Sequence, residues 1–303
     1  DQGLSGASQV QAYALLHQAC EAAIEEGKLR ATPFTRDVRK SRPKPAGPKL
    51  RTLADGEIDR LKSLDNEWTP LWDIALGTGL RRGELMALCW NKVDLLPQGT
   101  PEELDKGSLQ VTQTSHDVRN DEGGYKLGSP KTIKSRRTVK FGHEVAEAFR
   151  KVKAEQDAVR ERLNQKEEGA AWADLGFVFT RTPSMEAVNE FWESFVAYRK
   201  GNGEHAPIPP YGHPQKGSIV THTFYTQVAK AGLAPACFHD LRDTFATIHL
   251  SLNTPTKMVS EMMGHSNTQI TQDRYQEATQ TIHDSAADSM ESYWRKLRSA
   301  VKV

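Results

Sequence analysis

Residues 28–51 set the first limit on the fold. This stretch holds Pro33, Pro43, Pro45 and Pro48, with nine basic residues (Lys28, Arg30, Arg36, Arg39, Lys40, Arg42, Lys44, Lys49 and Arg51) against one acid, Asp37. Proline lacks the N–H that a helix or ladder requires, so the stretch reads as an extended basic linker without a regular helix. It divides the chain of 303 residues into a short segment before it and a long one behind it. Only the long one is large enough to bury a core of its own. A linker of this charge is either a solvated tether or a strap along phosphates, where each Lys or Arg displaces counterions. Arg36, Arg39, Lys40, Arg42 and Lys44 are its candidate phosphate contacts.

Ahead of the linker, Ser8 to Glu26 carries Val10, Tyr13, Ala14, Leu16 and Ile24 near helical spacing, with Gly27 as the stop. One helix cannot bury its own stripe, so residues 1–27 read as the last part of a larger helical domain. Lys plus Arg number 40 and Asp plus Glu 39, a net charge of +1. A neutral total does not exclude nucleic acid, because local distribution decides. The 37% hydrophobic and 26% charged content excludes disordered and collagen-like classes. No apolar run is long enough to cross a membrane as a helix. The start, Asp1 to Gly6, has neither the basic region nor the apolar core of a signal peptide, and no initiator Met, so the chain reads as a processed or trimmed piece. Three dispersed cysteines (Cys20, Cys89, Cys237) suit a reducing cytoplasm better than a disulfide framework or zinc site.

Behind the linker the pattern is mainly helical. Helices are expected over Asp55–Leu64 with Asp55 as N-cap, Pro70–Leu76, Arg82–Cys89 and His143–Asn164. Ser108–Thr114 and Arg136–Phe141 alternate as strands, Val93–Leu95 is a candidate third, and 120–135 and 200–220 read as loops. Phe238, Leu241, Phe245, Ile248 and Leu252 step by 3, 4, 3 and 4, an amphipathic helix. Thr254-Pro255 opens a further helix that ends at Gly264, and a short one follows from Asn267 to Tyr275. The expected fold is therefore α+β, mainly helical, with a small antiparallel sheet.

The chemistry gathers around that last third. His239 and Arg242 stand at i and i+3 and share a helix face. His265 follows the Gly264 break, and Tyr275 comes ten residues later. Upstream, Arg81 sits at a glycine-defined turn in Thr78-Gly79-Leu80-Arg81-Arg82-Gly83-Glu84-Leu85, and Lys131 lies ahead of the second strand in Pro130-Lys131-Thr132. Arginine forks match phosphate oxygens bidentately, and cations preorganised there stabilise a phosphodiester transition state. Tyrosine is a nucleophile when a base takes its proton; histidine can be that base, and lysine can protonate a leaving oxygen. No carboxylate cluster is required, so neither a metal nor another cofactor is implied.

These segments resemble the tyrosine recombinase (phage integrase) family. Thr78–Leu85 is similar to its first arginine box, Phe238–Thr247 to its His-x-x-Arg box, Met263-Gly264-His265-Ser266 to its Leu-Gly-His turn, and Asp273-Arg274-Tyr275 to its nucleophile box. Lys131-Thr132, ahead of Ser135-Arg136-Arg137-Thr138-Val139, is similar to its β-hairpin lysine. The resemblance spans about residues 49 to 285. It implies the DNA breaking-rejoining catalytic fold over residues 52–278, preceded by a core-DNA-binding remnant and the linker. Residues 279–303 would be a helical tail, packed on its own domain or exchanged between protomers. The implied activity is site-specific recombination through a 3′-phosphotyrosine, without metal or ATP. Tyr275 would attack, Arg81 and Arg242 would clamp the phosphate, Lys131 would be the general acid, His239 would assist deprotonation and His265 would hydrogen-bond the phosphate. Implied partners are double-stranded DNA core sites, further copies of the chain up to a tetramer, and accessory directionality or DNA-bending proteins, in a nucleoid-associated cytoplasmic setting.

Some readings stay open at this level. Arg82 competes with Arg81, and Lys134 with Lys131. Arg242 could pair with Glu84 or Asp240, Glu84 reads as an orienting group, and His249 as structural. Asp243, where many relatives have histidine, falls outside the expected reactive set. Trp72, Trp90 and Phe245 read as core, and His205, His213 and His222 have no metal-ligand spacing. A type IB topoisomerase-like enzyme, a catalytically silent DNA-binding regulator and a metal nuclease are the rival functions.

Overall fold

The computed structural model describes residues 6–42, 50–118, 124–130, 135–165, 169–200 and 206–275. The chain falls into two units, Asp1–Lys49 and Leu50–Val303. In the first, α1 (Gly6–Glu25) ends at Gly27, whose φ of +71° lets the chain turn back. Tyr13 and His17, one turn apart on α1, meet the ring of Phe34 edge-on at 5.0 and 4.9 Å. The linker is not helix-free: α2 (Arg36–Lys40) forms there. The prolines bound it, because Pro33 and Pro43 bracket a proline-free window that has room for a short helix. Arg39 Nε donates to the Phe34 carbonyl at 3.1 Å, and the Arg42 guanidinium lies 5.9 Å over the Tyr13 ring.

In the second unit, α3 (Asp55–Lys62) is capped one residue earlier than expected. Ala54 is its N-cap, and the Ala54 N–H donates to the Glu57 carboxylate at 3.0 Å. The centre of the core is α4 (Thr69–Thr78), with Leu71, Trp72, Ile74 and Ala75 buried. It packs on α6 (His143–Gln165) and α9 (Phe238–Ser251). At Gly77 a methyl group would overlap Val145 of α6, which is why a glycine interrupts the apolar run there.

Strands β1 (Val93–Asp94), β2 (Gly107–Val111) and β5 (Arg137–Phe141) form an antiparallel sheet in the order β1-β2-β5, with Leu109 opposite Val139 and both fully buried. The strand expected to reach Thr114 ends at Val111. A second hairpin, β3 (Thr114–Asp117) with β4 (Tyr125–Gly128), occupies part of the span read as a loop. Its residues are largely half-buried or exposed, so no alternation marked it. Two helices add to the elements expected from the sequence. They are α7 (Met185–Arg199), with two buried residues, and α8 (Gly217–Lys230), which begins inside the expected 200–220 loop.

Two apolar clusters meet along α9. Phe238 and Leu241 belong to the larger; Phe245, Ala246 and Leu250 join Val259, Met263 and Tyr275 in the smaller. The expected stripe does not reach its end: Leu252 lies past the last turn and is exposed. The last helices are α5 (Arg82–Met86), back near α4, and α10 (Thr256–Met263) and α11 (Thr268–Arg274) at the C-terminal side. Gly79 ends α4 with φ +62°, and a Cβ there would sit 2.4 Å from the Phe245 ring. Gly79→Ala should therefore destabilise the unit by about 2–4 kcal/mol, combining backbone strain with overpacking. A urea unfolding midpoint measures it.

Candidate active site

The site begins where α4 breaks at Gly79. Arg81 takes an extended conformation before α5, and Glu84, three residues on, accepts from the Arg81 N–H at 2.9 Å and from its Nη1 at 2.9 Å. Glu84 is 4% exposed. It also receives the fork of Arg137 from the start of β5, at 3.1 and 2.9 Å. Burial pushes the Glu84 carboxyl up, but the hydrogen bond and charge of Arg137, with the Arg81 N–H and charge, outweigh it and hold it below the usual carboxylate range.

Arg242 lies on the second turn of α9 and is 2% exposed. One Nη donates to the Gly79 carbonyl and the other to the Met263 carbonyl. Its two Nη groups thus reach carbonyls rather than Glu84 or Asp240, and Asp240 instead accepts from the Cys237 N–H at 2.7 Å to cap α9. Burial brings the Arg242 guanidinium down to about 9, and the like charges of Arg81 and Arg137 add to this while Glu84 and Tyr275 oppose it. An anion placed here would relieve that cost.

Helix α10 ends in a Schellman turn. Gly264 has φ +64°, its N–H reaches the Glu261 carbonyl, and the His265 N–H reaches the Ser260 carbonyl at 3.0 Å. This turn aims His265, whose Nδ1 lies 2.8 Å from the hydroxyl of buried Thr271. Arg81 Nη2 approaches the Gly264 carbonyl at 3.4 Å. Arg81, Arg242 and His265 are thus brought to one turn. His239 is exposed on the first turn of α9, three residues before Arg242.

Tyr275 closes α11. Its ring is fully buried in the smaller cluster, and its hydroxyl donates to Asp243 Oδ1 at 2.7 Å. Asp243, expected outside the reactive set, is thus the hydrogen-bond partner of the Tyr275 hydroxyl. A buried acid next to Arg242 on an apolar helix needs a partner, and that was the available signal. Arg137 is the second residue missed; its partners lie 53 and 125 positions away, beyond any local pattern.

The competing arginine faces elsewhere: Arg82 Nη1 donates to the Thr221 hydroxyl on α8 at 2.5 Å. His249 sits against the Phe245 ring at 4.5 Å and near Thr254. Lys131, its rival Lys134, and Lys44 lie outside the described residues, as do residues 279–303. Arg36, Arg39, Lys40 and Arg42 are exposed in the first unit, where Arg36, Arg39 and Lys40 border a shallow basin. Among the described residues, one group has the reach of metal ligands, Asp105, His143 and Glu147. Arg150 already contacts both Asp105 oxygens at 2.8 Å, and its charge opposes a cation there. No described helix is long and apolar enough to cross a membrane.

Comparison with known proteins places this geometry. A tyrosine recombinase XerC-like protein of Caldanaerobacter subterraneus subsp. tengcongensis is 26% identical over 270 residues, which are 84% of this chain and 58% of that protein. The chain thus spans less than two thirds of that relative. An integrase of Saccharopolyspora erythraea is 30% identical over 93 residues, 31% of this chain and 21% of that protein. The solved Tn1549 transposon integrase in complex with transposon right end DNA matches with a TM-score of 0.64 at 22% identity, over 96% of this chain and 80% of that one. The same integrase with a circular intermediate DNA matches with a TM-score of 0.63 at 21% identity, over 96% and 81%. The mainly helical α+β fold is therefore shared with that integrase. The model of the phage integrase family matches residues 111–281, more than half of the chain. That span takes in Arg242, the Gly264 turn and Tyr275 together, and the chain belongs to the phage integrase family.

Proposed function

We propose that the chain is a site-specific DNA recombinase that cuts and rejoins DNA through a 3′-phosphotyrosine, without metal or ATP. The observation that carries this reading is the meeting of Arg81, Arg242 and His265 at the Gly264 turn, with the Tyr275 hydroxyl held by Asp243, the residue after Arg242 on α9. Two guanidinium groups there suit the non-bridging oxygens of one phosphodiester. Their positive charge favours the pentacovalent transition state over the ground state.

In this reading the Tyr275 oxygen attacks phosphorus and the P–O5′ bond breaks. The phenolic proton passes to His239, and Lys131, or its rival Lys134, protonates the departing 5′-oxygen. His265 hydrogen-bonds the phosphate, its ring held by Thr271. The phosphotyrosine keeps the energy of the broken linkage, so a 5′-hydroxyl from a partner strand can reseal it. The buried hydroxyl must first leave Asp243, so cleavage includes a movement of Tyr275. Arg36, Arg39, Lys40, Arg42 and Lys44 would follow the DNA backbone from the linker. Residues 1–27 and 28–51 would complete a clamp ahead of the catalytic domain at 52–278. Four copies on paired sites, coupled by residues 279–303 and assisted by DNA-bending proteins, would form the synapse beside the nucleoid. The Tn1549 integrase was solved on transposon-end and circular-intermediate DNA, which supports a duplex substrate.

The test uses core sites recovered by binding selection from random duplexes, remade with a nick beside the cleavage position. In EDTA and without ATP, the protein should form an adduct that survives a denaturing gel and leaves a free 5′-hydroxyl. Adduct formation only with added divalent metal would contradict the reading. Joining of two sites, rather than relaxation of one plasmid, separates a recombinase from a topoisomerase-like enzyme.

A further inference from the structure

Three successive carbonyls at the end of α10 each accept from a different arginine. Arg137 Nε donates to Met262 at 2.5 Å, Arg242 to Met263, and Arg81 approaches Gly264 at 3.4 Å. The last carbonyls of a helix lack intrahelical partners and carry its negative end, so three cations converging there is a physically favourable arrangement. Arg81 and Arg242 are the arginines assigned above to the phosphate. Arg137 is different. It is nearly buried, with its side chain 6% exposed, and its remaining donors go to Glu84, at 3.1 and 2.9 Å, and to the Ser135 carbonyl at 3.1 Å. Glu84 in turn holds Arg81 through both backbone and guanidinium.

Arg137 therefore links three parts of the chain that sequence keeps far apart. It opens β5, six residues after Lys131 in the sequence. It grips the carboxylate that fixes Arg81, and it braces the turn that bears His265. Gly264 is shaped to this arrangement, since a Cβ there would lie 2.9 Å from Arg137 Nη1. We propose that Arg137 is a positioning residue of strand cleavage: it sets the separation of the Arg81 and Arg242 guanidiniums through Glu84 and the Met262 carbonyl, without touching DNA. This rests on the reading of Arg81 and Arg242 as the phosphate clamp.

Lysine at 137 keeps the charge but cannot supply a planar fork and a third, divergent donor together. Arg137→Lys should lower the single-turnover cleavage rate at saturating nicked DNA by about 10–100-fold, because misplacement of a preorganised group by about an ångström costs that much. The dissociation constant for the same duplex should change less than about threefold, since no phosphate contact is lost. Arg137→Ala should cleave more slowly still, and millimolar guanidinium should restore part of its rate, whereas ammonium should not. A merely structural role predicts no rescue particular to guanidinium, because at millimolar concentration either cation changes fold stability negligibly. Wild-type adduct formation is the control on the underlying reading; without it the recombinase assignment itself fails. If the wild type forms adduct and Arg137→Lys cleaves within twofold of it, the positioning role is overturned and the recombinase reading stands. Loss of cleavage in step with loss of DNA affinity, or no guanidinium rescue in a folded Arg137→Ala, also overturns it.

Discussion

Tyr275→Phe should retain DNA binding and form no covalent adduct at all. The substitution removes one oxygen from a ring that stays inside the cluster of Phe245, Leu250, Val259 and Met263. Packing is conserved, so the fold should survive. One cost is expected: Asp243 loses the donor that now sits 2.7 Å from it, worth about 1–3 kcal/mol for a buried carboxylate. A urea midpoint of the variant separates that cost from the chemistry. A folded variant that binds core DNA yet yields no adduct locates the lost function in the phenolic oxygen. Robust adduct from the folded variant would remove Tyr275 from the nucleophile role.

Arg242→Lys should be the next most damaging change. Arg242 spans two anchors, the carbonyls of Gly79 and Met263, and so joins the break after α4 to the end of α10. A lysine ammonium reaches one such anchor and cannot present a second, parallel donor to a phosphate. Loss of one preorganised donor to a developing oxyanion costs about 10²–10³-fold in rate, and cleavage on nicked DNA should fall by that factor. Burial works in the same direction, because an ammonium in this site is desolvated beside Arg81 and Arg137. Affinity for the duplex should change far less, since the proposed reading assigns most phosphate contacts to the linker and surface cations. An equal loss in affinity and in rate would mean that Arg242 contributes binding alone.

What could be read in advance follows from how local each signal is. Gly79 and Gly264 end helices at positive φ, and a glycine after an apolar run announces such a stop. That is why the turns bearing Arg81 and His265 are visible in the sequence. The buried start of α9 is likewise carried by Phe238, Leu241 and Phe245. The hairpin of β3 and β4 has little buried surface to leave a pattern, and α7 turns only Val188 and Phe191 fully inward. The network beneath the site is invisible for another reason. Glu84 with Arg137, and Asp243 with Tyr275, are pairs closed by tertiary packing across long stretches of chain. Glu84 reads as an orienting group in the sequence, but that Arg81 and Arg137 are the arginines it holds is set only by the fold.

The most direct test of the whole account is to identify the amino acid joined to DNA. The wild-type protein is trapped on nicked core DNA in EDTA, the adduct is digested with protease and nuclease, and the modified peptide is sequenced by mass spectrometry. The account predicts a nucleotide-3′-phosphate on the oxygen of Tyr275. A nucleotide on another side chain, such as the exposed Tyr225, would contradict it.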